Sequence, residues 1–160
     1  MRLDREFRAI SEANQRSGNR LYIEPYWAAH VHDLSDRMLD RSPDVVHFAG
    51  HGEPGGLLFE RADGQAQWVP VEHLQRVLGF KRPRCLVLNA CYSAERARAC
   101  AIPYVIAMAG PSHDEGSIEF SRSFYLALAR GLDIETSFEH ARHALALHGL
   151  DDSCQPRLLH

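Results

Sequence analysis

The sequence has few cysteines and no pairing pattern among them. Its four, Cys85, Cys91, Cys100 and Cys154, include no CxxC motif, which removes the usual thiol redox and zinc-ribbon readings. A disulfide framework is not expected either; free thiols in a reducing cytoplasm are the simple reading. There is no apolar run of membrane length and no signal-peptide pattern, so no membrane association is expected. Charge of neither sign dominates: the net value is −3, which offers no basic face to nucleic acid. The glycines at Gly50-His-Gly52 and Gly55-Gly56 match neither GxGxxG nor GxxxxGK(S/T), which counts against a nucleotide-binding, doubly wound domain. The ten histidines are scattered rather than clustered. Neither a metal nor another cofactor is expected.

What remains is an ordinary globular composition, 45% apolar and 24% charged over 160 residues. That length buries a sizeable core and fits a single domain spanning 1–160. Two apolar stretches share one plan. Asp44-Val-Val-His-Phe-Ala-Gly-His-Gly52 reads as a buried strand ending in a flexible polar tip that carries His51. Cys85-Leu-Val-Leu-Asn-Ala-Cys-Tyr-Ser93 reads as a continuously apolar strand ending at Cys91, as a parallel strand covered on both faces should.

The other elements fall around these two. Helices are expected over Leu3–Ser17, Val31–Asp40, Val71–Leu78, Ser93–Ala101, Ile118–Arg130 and Thr136–His148. Further strands are expected at Leu21–Trp27 and Tyr104–Ala109, with a final edge strand at Arg157–His160. Leu57–Glu60 and Gln67–Val69 read as a small β-hairpin around an Asp-Gly turn. Strands alternating with helices predict an α/β fold, a mostly parallel sheet in a three-layer α/β/α arrangement.

In such sheets ligands sit beyond the carboxyl ends of the strands, where both His51 and Cys91 fall. An imidazole beside a thiol, with a helix starting just after it, favours the thiolate that a cysteine nucleophile needs. His51 then protonates the leaving amine. The backbone N–H groups of Gly52 and Cys91 are candidates to face a developing oxyanion.

His-Phe-Ala-Gly-His-Gly52 followed by Leu-Asn-Ala-Cys91-Tyr-Ser resembles the CHAT domain, a prokaryotic caspase-like cysteine peptidase in the wider group of caspases, separases and metacaspases. The resemblance runs over nearly the whole chain. It implies a caspase-haemoglobinase-like sheet and an endopeptidase with His51 and Cys91 as the dyad and Gly52 in the oxyanion site. It also implies a first strand ahead of the Leu3 helix, which this sequence lacks. A partner segment, a regulatory partner or a missing sensor segment is then expected to complete the domain or release its activity. By the same resemblance the protein is expected to be an effector of a bacterial signalling or defence system, acting on protein or peptide substrates. A non-catalytic interaction module with the same fold is the alternative. Acids near Asp114 and Glu115, in the loop after the Tyr104 strand, often recognise a basic residue before the cut in this group. Two carboxylates suit a guanidinium or ammonium, and His113 is a further candidate to line that loop.

Several residues have plainer readings. Cys85 and Cys100 are expected to be packing cysteines, and Cys154 has no visible role. His47, in mid-strand, reads as a core histidine. Asn89 is expected to bond backbone at its strand end, and Ser93 to cap the following helix. Trp68 is expected to pack the hairpin on the sheet.

Overall fold

A computed structural model describes residues 2–97 and 102–159. In chain order the elements are α1 (Leu3–Arg16), α2 (Val31–Asp40), β1 (Val45–Ala49), β2 (Gly52–Glu53), β3 (Gly56–Glu60), β4 (Ala66–Pro70), α3 (Val71–Leu78), β5 (Cys85–Asn89), α4 (Ala94–Ala97), β6 (Tyr104–Met108), α5 (Asp114–Ala129), α6 (Ile134–Leu147) and β7 (Pro156–Leu159). This is the expected α/β class with a mostly parallel sheet. The chain divides into two compact units, one made of residues 1–25 and 111–156, the other of 26–110 and 157–160.

The larger unit is built on a four-stranded sheet in the order β1-β5-β6-β7. β1 pairs with β5 in parallel from Val45↔Cys85 to Ala49↔Asn89, and β5 pairs with β6 from Cys85↔Tyr104 to Leu88↔Ala107. Side chains alternate between the two faces of a strand. On one face Leu86, Leu88, Val105 and Ala107 join Met38 of α2, Val71, Leu74 and Leu78 of α3, and Leu57 and Phe59 of the hairpin in one apolar cluster. On the other face Val87, Ile106 and Met108 are fully buried. Burying one leucine or isoleucine contributes about 1.5–3 kcal/mol, so this double-sided apolar run is what commits β5 to the sheet centre. The expected edge strand at the C-terminus is present as β7.

The hairpin is larger than expected. β3 and β4 form it, but the two-residue β2 adds a third antiparallel strand directly after His51. Asp63 and Gly64 do turn the chain, with the Gly64 N–H donating to the Arg61 carbonyl at 2.8 Å. Trp68 does not pack the hairpin onto the large sheet. Its indole lies over Gly56 of the paired strand, where an added Cβ would collide with Nε1, and the residue stays 46% exposed.

The smaller unit contains α1, α5 and α6. Phe120 packs against Phe124 and, edge-on, against Phe138, both with ring centroids 6.0 Å apart. Ile10 and Ala13 of α1 are buried, and so is Glu6, whose Oε1 accepts from the Ser121 hydroxyl at 2.6 Å. The strand expected at Leu21–Trp27 does not form. Asn14 takes over the backbone of Leu21 instead: its Nδ2 donates to the Leu21 carbonyl at 2.8 Å, and its Oδ1 accepts from the Leu21 N–H at 3.0 Å. A side-chain amide that pairs both backbone groups of one residue leaves nothing for a ladder.

Candidate active site

The β1–β5 pairing advances with a constant offset up to Ala49↔Asn89, where the Gly50 N–H donates to the Asn89 carbonyl at 3.3 Å. His51 and Cys91 each lie two residues past the end of one of these adjacent parallel strands. Neighbouring strands lie about 4.8 Å apart, so the two residues sit on adjacent tips at the carboxyl edge of the sheet. Both are accessible: His51 is exposed, and Cys91 is half-buried.

Gly52 fixes the closeness of that approach. A Cβ built on it would stand 2.5 Å from the Cys91 carbonyl oxygen and 2.9 Å from the Ala90 Cβ. Only a residue without a side chain fits there. The hydrogen bond next to it in the β2–β3 ladder runs from the Leu58 N–H to the His51 carbonyl at 3.0 Å. Gly52↔Leu57 is therefore a non-hydrogen-bonded pair, and the Gly52 N–H points away from β3.

The turn after the thiol is held from both sides. Tyr92 has φ of +57°, a left-handed conformation uncommon for an aromatic residue. Its N–H donates to the Gly110 carbonyl at 3.1 Å. Ser93, expected to cap the following helix, is fully buried and bonds the strands. Its hydroxyl donates to the Leu88 carbonyl at 3.0 Å and accepts from the Met108 N–H, also at 3.0 Å. Neither the Tyr92 conformation nor the Ser93 link left a signal in the sequence, because both depend on how β6 lies beside β5.

Cys85 has the inert environment expected of a packing cysteine. It is completely buried, and burial pushes its thiol up to about 12. Asn89 is also completely buried at the end of β5. His47 lies half-buried in mid-strand, level with Val87. Cys154 is buried in the smaller unit, where the Ser112 hydroxyl donates to its Sγ at 3.4 Å. Cys100 and the C-terminal part of the helix expected to hold it fall outside the described residues.

Asp114 and Glu115 are not in a loop. They form the first turn of α5, and His113 is its N-cap residue. Carboxylates near a helix N-terminus are favoured by the unsatisfied N–H groups there, which explains why the helix starts four residues earlier than the apolar spacing suggests. Within the smaller unit the two acids line a cavity of about 570 Å³ together with Arg2, Arg5, Glu119 and His148. No group of three or more metal-ligating side chains occurs among the described residues. No helix among them is long and apolar enough to cross a membrane.

The sheet and its tips define an α/β domain with a histidine and a cysteine at neighbouring positions on one carboxyl edge. Residues 2–156 match the family model of the CHAT domain. The chain belongs to the CHAT domain family, a caspase-like, protease-related family. No curated protein matches it.

Proposed function

We propose that the protein is a caspase-like cysteine endopeptidase in which Cys91 is the nucleophile and His51 its proton-transfer partner. The observation that supports this reading is the close approach of Gly52 to the Cys91 carbonyl, just past the ends of two adjacent parallel strands. The Cys91 thiolate attacks the scissile carbonyl carbon, and the C=O electron pair moves onto oxygen. The N–H groups of Gly52 and Cys91 face that oxyanion; the Tyr92 N–H, bound to Gly110, is not available for it. Collapse of the intermediate breaks the C–N bond, and the imidazolium of His51 protonates the departing amine. A water molecule, losing its proton to His51, then hydrolyses the thioester and restores the thiol pair.

Asp114 and Glu115, with His113, are the proposed recognition residues for a basic side chain before the cut. The family resemblance alone supports this choice. The proposed setting is a regulated effector in the bacterial cytoplasm, acting on protein or peptide substrates and switched by a partner or sensor segment.

Incubation with a peptide library, read by mass spectrometry, tests the reading. Cleavage after Arg or Lys is expected, lost in Cys91→Ala and reduced by about 10²–10⁴ in His51→Ala. Cuts chiefly after Asp would overturn the basic preference. An uncut library together with a Cys91 no more reactive than free cysteine would leave the interaction module as the surviving reading.

A further inference from the structure

We infer that Ser93 is a positioning residue for Cys91: its buried hydroxyl ties the turn that carries the thiol to the ends of β5 and β6. This inference rests on the peptidase reading and adds to it a residue that never touches substrate. The β5–β6 ladder pairs its last residues at Leu88↔Ala107. At that last pair a side chain also links the two strands. The Ser93 hydroxyl stands between the Leu88 carbonyl and the Met108 N–H, 3.0 Å from each. All three residues are completely buried, so water is not available to replace either bond.

Cys91 lies inside the loop this link closes. The chain leaves β5 after Asn89, passes Ala90, Cys91 and Tyr92, and is returned to the level of Leu88 by Ser93. A second bond acts within the same loop, from the Tyr92 N–H to the Gly110 carbonyl. It holds Tyr92 at φ +57°. A left-handed tyrosine persists only where its surroundings over-determine it, and the two bonds to the β6 end are what do so. With the peptide after Cys91 held on one side and Gly52 against its carbonyl on the other, the backbone that carries the thiol is held before substrate arrives. Loss of the Ser93 link frees the turn to relax toward ordinary φ values and carries Cys91 with it.

The test compares the rate of iodoacetamide alkylation of Cys91 at pH 7 in the wild-type chain, Ser93→Ala, Ser93→Thr and Ser137→Ala. Ser137 is a fully buried serine of α6 that takes no part in the β5–β6 link, so its variant controls for a general loss of stability. Thermal melts accompany each measurement. In the wild type, Cys91 is expected to react at pH 7 faster than free cysteine. In Ser93→Ala that rate is expected to fall about ten- to hundredfold. Ser137→Ala keeps the wild-type rate, and Ser93→Thr, which retains the hydroxyl, recovers much of it. A wild-type rate in Ser93→Ala, or an equal change in Ser137→Ala, would overturn the positioning role while leaving the dyad intact. A wild-type Cys91 that reacts no faster than free cysteine would overturn the dyad and the positioning role with it.

Discussion

The Cα of Gly52 and the carbonyl of Cys91 are in such close approach that a methyl group on the glycine would stand 2.5 Å from the oxygen. Gly52 belongs to β2 and Cys91 to the turn after β5, far apart in sequence. Their contact joins the His51 tip to the Cys91 tip.

Gly52→Ala is expected to force these tips apart. Overpacking a fixed site of this kind typically costs about 1–3 kcal/mol, which thermal or urea unfolding measures directly. Peptide cleavage is expected to fall further than stability does, by about 10²-fold, because a displacement of about 1 Å at the reacting groups is enough. Unchanged cleavage in a variant of lowered stability would show that the approach is structural only.

The thiols should separate by reactivity and by pH. Iodoacetamide at pH 8 is expected to label Cys91 and to spare Cys85, as peptide mapping of the folded chain can check. The Cys85 thiol titrates near 12 in the folded chain, against an ordinary value of 9.0. A raised value means that the fold favours the protonated form. That contribution is whole below about pH 9 and is lost as pH rises from 9 toward 12, at about 1.4 kcal/mol per pH unit. Cys85→Ala removes this term, so its stability should decline less steeply than wild type over that window.

Glu119 gives the opposite sign. Burial pushes its carboxyl up, but hydrogen bonds from Arg122 and Ser123, with the charges of Arg122 and His148, outweigh burial and hold it below the ordinary 4.5. The Arg122 guanidinium reaches it with two bonds, at 2.7 and 2.9 Å, and the Ser123 hydroxyl with a third at 2.7 Å. Its stabilisation is therefore present above about pH 4.5 and lost as pH falls through the lowered value. Glu119→Gln should unfold more readily at pH 7 and show a shallower loss in acid, as urea midpoints across pH 2–7 would record. An acid limb identical to wild type would exclude Glu119 as a contributor.

Much of the fold was legible because it follows periodicity. The continuous apolar run of β5 and the spacing of Val71, Leu74 and Leu78 each state their element, and each is buried as expected. The failures have local causes. Leu21–Trp27 has strand-like residues, but the Asn14 amide takes the backbone of Leu21. The start of α5 was missed because polar residues in a first turn are set by the helix terminus and not by an apolar face. Trp68 was misplaced because a glycine on the facing strand offered its indole a nearer surface. Ser93 reads as a cap because caps are the common use of serine before a helix; its link between β5 and β6 depends on strands brought together only by the fold.

The sequence by itself determined that two apolar strands end in His-Gly and in Cys, in that order, within an α/β chain of the CHAT family. Strand identity depends on local composition, and composition is written in the chain. Tertiary structure decided that the strands carrying the two tips are neighbours, that Gly52 closes on the Cys91 peptide, and that Tyr92 and Ser93 are fastened to the end of β6. Those are relations between segments distant in sequence. They are set by register and by the need of buried backbone groups for partners, which no single stretch of the chain contains.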